Sequence, residues 1–228
     1  MVIKGLQKLT LLDYPGEIAA TVFLGGCNFR CPFCHNGTLV LGGSENCVSE
    51  EELFTFLESR RTKLGAVCIS GGEPTLHKEL PDLIRKIKDM GFLVKLDTNG
   101  TNPRMIKELV SLGLIDYVAM DVKSSPEKYA LVSGDPDVDL SAISESIEFL
   151  LTGAVEYEFR TTVVRELHSV EDFAAIGEWI QGARAYFLQP YKDSADVIEK
   201  GFSSYSEAEI LELLDVVFMY VPNAQIRG

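Results

Sequence analysis

The run TVFLGGCNFRCPFCHN, residues 21–36, decides how this chain reads. Thr21 to Leu24 is apolar and β-branched, and Ile18-Ala19-Ala20 leads into it, so a strand is expected here. Gly25-Gly26 ends the strand, and a cysteine loop follows at once. It holds Cys27, Cys31 and Cys34 in the spacing C-x3-C-x2-C. Three thiolates so close together can hold three corners of an iron–sulfur cube and leave the fourth iron without a protein ligand. Electron-transfer clusters usually take four cysteines. An open corner can admit a substrate or cofactor, as the free position of a catalytic metal site does. The loop therefore predicts chemistry at its cluster.

Outward from this run, apolar strands alternate with helical patterns. Ser49 to Glu52 is a capping box that opens a helix to about Arg61. Ala66 to Ser70 is expected as strand, Leu80 to Met90 as helix, and Leu93 to Thr98 as strand. Asn102-Pro103 starts the next helix. Strand follows at Tyr117 to Val122, helix at Leu140 to Leu151, and an alternating strand at Tyr157 to Val164. A helix from Ser169 to about Ile180, a short strand at Tyr186 to Leu188 and a helix at Glu207 to Met219 complete the series. Repeated strand–helix units imply a parallel sheet with right-handed crossovers. Six units are too few for the eight-unit barrel. The expected fold is α/β, a partial (β/α)6 TIM-like barrel, with a doubly wound open sheet as the alternative. No linker, repeat or low-complexity stretch interrupts residues 1–228, so one domain is expected.

Each strand ends in unusual residues. Strand two ends in Gly71-Gly72-Glu73, strand three in Asp97-Thr98-Asn99, and strand four in Asp121-Val122-Lys123. Strand five carries Arg160 and Thr162 on one face, and strand six ends in Gln189-Pro190-Tyr191-Lys192. Carboxyl ends of parallel strands share a face, and ligands bind there. Gly71 and Gly72 let backbone approach a ligand closely. Glu73 then offers a carboxylate to a cation such as an ammonium; the plain alternative is a solvated turn residue. Asp121 and Lys123, two apart in extended chain, face one side. Arg160, in an otherwise apolar alternation, needs an anionic partner. Phe33 lies between cluster cysteines and would pack on a flat ring or on local core, and His35 is read as pocket lining. His77 and His168 are expected to face solvent.

Composition narrows the function. The net charge of −13 disfavours a nucleic-acid binder, which would carry a basic stripe. No run approaches the about 20 apolar residues a membrane helix needs. Five cysteines and no apolar leader suggest a reducing, cytoplasmic setting. Cys68, inside Ala66 to Ile69, reads as core; Cys47, after the expected loop Gly42 to Asn46, reads as a surface cysteine.

On the cysteine loop and the GGE motif, the chain resembles the radical S-adenosylmethionine superfamily over about Asp13 to Tyr191. Within it, CHN after the third cysteine and the TNG and DVK tips look like glycyl-radical-enzyme activating proteins, most of all those of anaerobic ribonucleoside-triphosphate reductase. The resemblance implies a [4Fe-4S] cluster on Cys27, Cys31 and Cys34, with S-adenosylmethionine at the open iron. Glu73 would hold its ammonium, and Lys123 with Arg160 its carboxylate. The pocket around this cofactor would draw on Phe33, His35, Gly71, Gly72, Asn99, Gln189 and Lys192. Asp97, Thr98 and Asp121 match positions that form a monovalent-cation site in some members. Reductive cleavage would yield a deoxyadenosyl radical that takes a hydrogen from a glycine of a partner enzyme, with reduced flavodoxin or ferredoxin as electron donor.

Two departures weaken a pyruvate formate-lyase assignment: Asp13-Tyr14-Pro15-Gly16 replaces a DGPG turn, and Lys192 stands where those activators show histidine. The alternatives are a pyruvate formate-lyase-type activator and a radical enzyme acting on a small molecule or nucleoside. A structural zinc or simple electron-transfer protein is disfavoured, because structural zinc wants four ligands.

Overall fold

The computed structural model describes residues 1–42 and 47–228, so Gly43 to Asn46 of the expected loop lie outside the described residues. The chain forms two compact units. One comprises Met1–Asn28, Thr38–Thr98 and Arg104–Val118, the other Phe29–Gly37, Asn99–Pro103 and Ala119–Gly228.

The first unit is built on strands β1 (Ile3–Thr10), β2 (Ala19–Leu24), β3 (Ala66–Gly71) and β4 (Leu93–Thr98). β2, β3 and β4 are parallel neighbours, in a register that aligns Thr21 with Cys68 and Cys68 with Lys95. Their carboxyl ends therefore share one edge. β1 runs antiparallel on the outer side of β2. Helices α1 (Gly37–Leu41), α2 (Glu50–Arg60), α3 (Leu80–Asp89) and α4 (Pro103–Ser111) fill the connections. The Ser49 capping box forms as expected, the hydroxyl accepting from Glu52 N–H at 3.1 Å and Glu52 accepting from Ser49 N–H at 2.8 Å. α3 buries Leu80, Leu83, Ile84 and Ile87, a one-sided stripe at helical spacing.

Strand β5 (Tyr117–Asp121) starts in the first unit and ends in the second. The second unit continues through α5 (Tyr129–Ser133), α6 (Leu140–Leu151), β6 (Glu156–Val163), α7 (Val170–Trp179), β7 (Tyr186–Pro190), α8 (Glu207–Phe218) and β8 (Ala224–Ile226). β6, β7 and β8 are parallel neighbours. Every strand expected from the sequence is present, β2 to β7, each followed by helix. β1, β8 and the five-residue helices α1 and α5 are additions. Among the described residues, no helix is long and apolar enough to cross a membrane.

Candidate active site

In the first unit the cysteine loop begins against the GGE turn. Gly72 N–H donates to Leu24 C=O at 2.9 Å, and Glu73 N–H donates to Gly26 C=O at 2.8 Å. These bonds continue the β2–β3 ladder past the strand ends. A Cβ on Gly72 would lie 1.9 Å from Gly26 O and 3.3 Å from Cys27 Cβ, so only glycine allows this approach. Cys27 is half-buried beside it.

Glu73 is fully buried, which removes the solvated-turn alternative. Its Oε1 accepts from Thr75 N–H at 3.0 Å and from the hydroxyls of Thr75 and Thr98, the latter at 2.8 Å. Donors on one oxygen fix the direction of the carboxylate. His77 does not face solvent: it is half-buried, and Nε2 sits 2.9 Å from Gly25 O, bracing the glycine turn. Asp97 pairs with Lys95, Nζ to Oδ1 2.5 Å, and Lys95 is only 1% exposed. Cys68 is core as expected, and burial pushes its thiol up to about 12.

In the second unit Cys31 and Phe33 are buried, while Cys34 and His35 are half-buried. Cys34 N–H donates to Cys31 C=O at 3.0 Å. Three backbone bonds come from a distant segment: Glu199 N–H to Pro32 C=O at 2.8 Å, Ile198 N–H to Cys34 C=O at 3.3 Å, and Gly37 N–H to Asp196 C=O at 3.1 Å. Phe29 meets Tyr129 edge-on, with centroids 6.2 Å apart.

Asp121, at the end of β5, lies 2.9 Å from Lys123 Nζ and 2.8 Å from Arg160 Nε. The predicted same-side pair thus forms, and Arg160 has its anion. Burial alone would raise the Asp121 carboxyl, but the Arg160 and Lys123 charges outweigh it and hold it at about 2. Burial would lower the Lys123 ammonium; Asp121, and then the field of Cys31, outweigh it and raise it. Lys123 is therefore a fixed cation within electrostatic reach of Cys31.

His168 is buried, contrary to expectation. Nδ1 accepts from Val164 N–H at 3.1 Å, which leaves Nε2–H to donate to Lys123 C=O at 2.8 Å. Burial lowers its pKa against both backbone contacts. The ring is a neutral spacer that positions the Lys123 backbone.

The remaining expected residues divide. Asn99 Oδ1 accepts from Thr101 N–H at 3.0 Å and Oγ1 at 2.7 Å, so it shapes its own turn. His35, Thr162, Gln189, Pro190, Lys192 and Arg227 line a cavity of about 330 Å³. The His35 and Tyr191 rings meet at a tilt of 35° with centroids 5.4 Å apart, and burial lowers the His35 pKa. Cys47 is exposed, as expected. Lys95 and Thr75 escaped the sequence reading. The signal for Lys95 was present: a lone lysine in an apolar strand, two residues before Asp97 and so on its face.

A [4Fe-4S] cube suits this donor set. Thiolates are the soft ligands iron–sulfur clusters take. The glycine turn leaves backbone without side chains beside Cys27, and the Lys123 ammonium lies within electrostatic reach of Cys31. Among the described residues, no three His, Cys, Asp or Glu side chains are grouped to hold a single metal ion. A cube instead spreads its thiolates over different irons.

A family described as the Radical SAM superfamily matches residues 21–167. A Methanocaldococcus jannaschii protein, named as a candidate glycyl-radical enzyme activating enzyme, is 36% identical over 231 residues, covering 99% of this chain and 95% of its own length. The pyruvate formate-lyase-activating enzyme of Clostridium pasteurianum is 32% identical over 138 residues, 58% of this chain and 57% of that one. The structure of Streptococcus suis SuiB bound to S-adenosylmethionine aligns with a TM-score of 0.69 at 14% identity, over 91% of this chain and 48% of that one. The last likeness shows the fold alone.

Proposed function

The chain belongs to the Radical SAM superfamily, and on that premise we propose that Cys27, Cys31 and Cys34 hold its [4Fe-4S] cluster, with S-adenosylmethionine at the open iron. The protein is an enzyme of the glycyl-radical activating type. The whole of residues 1–228 serves this reaction as one domain, since both compact units are discontinuous in sequence and each carries part of the cysteine loop.

The observation that carries the reading is Glu73. A fully buried carboxylate, oriented by Thr75 and Thr98 and tied by its own N–H to the cysteine loop, is a fixed acceptor of the kind an ammonium suits. On this reading it receives the ammonium of S-adenosylmethionine. Lys123, with Arg160 on the far side of Asp121, receives the cofactor carboxylate. Phe33 packs beside the cluster loop, and Asn99 holds the turn after β4. His35, Gln189 and Lys192 line space for the rest of the cofactor.

When bound, cluster and cofactor supply one-electron chemistry that no side chain of this protein can provide. The protein binds, orients and excludes water. Its substrate is a backbone glycine of a partner enzyme, an anaerobic ribonucleoside-triphosphate reductase. Reduced flavodoxin or ferredoxin supplies the electron.

The test is paramagnetic resonance of the reductase after incubation with reduced holoprotein and S-adenosylmethionine. A stable doublet that collapses when the glycine carries α-deuterium supports the proposal. Absence of the signal with that reductase and with other glycyl-radical enzymes, together with turnover of a small molecule, would overturn it.

A further inference from the structure

The family resemblance implies a monovalent cation on Asp97, Thr98 and Asp121, and the residues present do not fit one. Each of the three is already engaged in the charge balance of its own unit. Asp97 is paired with the ammonium of Lys95, a residue only 1% exposed. The Thr98 hydroxyl donates to Glu73. Asp121 faces two cations, Lys123 and Arg160.

The pattern repeats along the chain. Lys95 lies two residues before Asp97 on β4, and Lys123 two residues after Asp121 at the end of β5. Two-residue spacing in extended chain puts each lysine on the face of its carboxylate. A metal ion placed on Asp97 would have to displace the ammonium of a buried lysine, or stand beside it as a like charge. A tethered ammonium also binds without the loss of translational freedom that a free ion pays, so it wins at any ordinary salt concentration.

We propose that Lys95 and Lys123 act as built-in cations, and that this chain takes no monovalent metal ion at Asp97, Thr98 or Asp121. The proposal rests on the functional reading above for its setting. Its consequence is that S-adenosylmethionine binding is indifferent to Na⁺ and K⁺. Lys95 is a positioning residue: it fixes Asp97 and touches no reacting atom.

Reconstituted holoprotein is placed in buffers of equal ionic strength whose cation is tetramethylammonium, Na⁺ or K⁺. Cofactor affinity is measured by anaerobic calorimetry, and Tl⁺ occupancy by anomalous diffraction. Wild type should show affinities within about twofold across the three buffers and no Tl⁺ at the three residues. Lys95→Met should lose about tenfold in affinity in tetramethylammonium, recover in K⁺ or Na⁺, and bind Tl⁺ at Asp97. Lys95→Arg keeps the charge and should behave as wild type. Wild type that needs Na⁺ or K⁺, or that binds Tl⁺ at Asp97 or Asp121, overturns the proposal. So does Lys95→Met that binds cofactor as wild type does in every buffer. If Lys95→Met does not fold, the wild-type and Lys95→Arg measurements still decide. Holoprotein that binds no cofactor in any buffer refutes the functional reading instead, because Tl⁺ occupancy is read without cofactor.

Discussion

Gly72→Ala should be a severely damaging one-carbon change in this protein. The new Cβ would sit 1.9 Å from Gly26 O and 2.6 Å from Gly26 C, both backbone atoms. Carbon and oxygen in ordinary contact stay about 3.3 Å apart, so the two strand ends must part by about 1.4 Å. The Glu73 N–H to Gly26 C=O bond, 2.8 Å long, then exceeds hydrogen-bond range and leaves a buried donor unsatisfied. That loss costs about 1–3 kcal/mol. Forced overpacking adds about 1–3 kcal/mol more. The sum, about 2–6 kcal/mol, is a large share of a domain's stability of about 5–15 kcal/mol. Cys27 moves with its neighbour Gly26, so iron retention should fall in parallel. Gly26→Ala is the control: its φ of +86° disfavours a side chain, yet a Cβ there meets nothing within 4 Å. It should cost only about 1–2 kcal/mol, the conformational penalty alone. Urea unfolding and iron content of reconstituted protein measure both variants. If Gly72→Ala loses no more than Gly26→Ala in either measurement, the close approach described here is wrong.

Cys27→Ala, Cys31→Ala and Cys34→Ala should each abolish iron retention, whereas Cys47→Ala should leave it unchanged; iron and sulfide assay of reconstituted protein distinguishes them. Asp121 is held at about 2 against an ordinary 3.8, so its contribution, about 2 kcal/mol, is complete above pH 4 and lost as pH falls through 2. Asp121→Asn should lower stability at pH 7 and flatten that acid limb in urea titrations at successive pH; an unchanged limb refutes the pairing. His168 has a lowered folded pKa, so below the unfolded value of about 6.5 the unfolded chain takes a proton that the folded ring resists. Stability should therefore fall as pH drops from 7 toward 5, and His168→Gln should lessen that slope; an equal slope in the variant would place the ring in solvent.

The strands β2 to β7 were legible because each is an apolar run closed by glycine or polar residues. β1 was not. Its apolar residues, Ile3, Leu6 and Leu9, recur every third position, and its register on β2 is broken between Ile3 and Gly5 and again between Gln7 and Thr10. Bulges of that kind erase the two-residue period that marks a strand. β8 has three residues and α1 and α5 five each, too short for any period to show. At the site, residue types and spacing exposed the cysteines, Glu73, and the Asp121–Lys123–Arg160 group. Burial was what the sequence hid. His168 looks like a turn residue, and only the fold brings the Lys123 carbonyl and the Val164 N–H to its two nitrogens.

The backbone clamp on the cysteine loop has a bearing on how the protein is made. Pro32, Cys34 and Gly37 find their partners in Glu199, Ile198 and Asp196, more than 150 residues further along. A chain leaves the ribosome amino end first. The loop emerges early and waits, the Pro32 and Cys34 carbonyls and the Gly37 N–H without these partners, until nearly the whole polypeptide has followed. The loop's final backbone geometry is thereby completed only after residues 196–199 have left the ribosome, and a chain truncated before residue 196 lacks all three of these bonds.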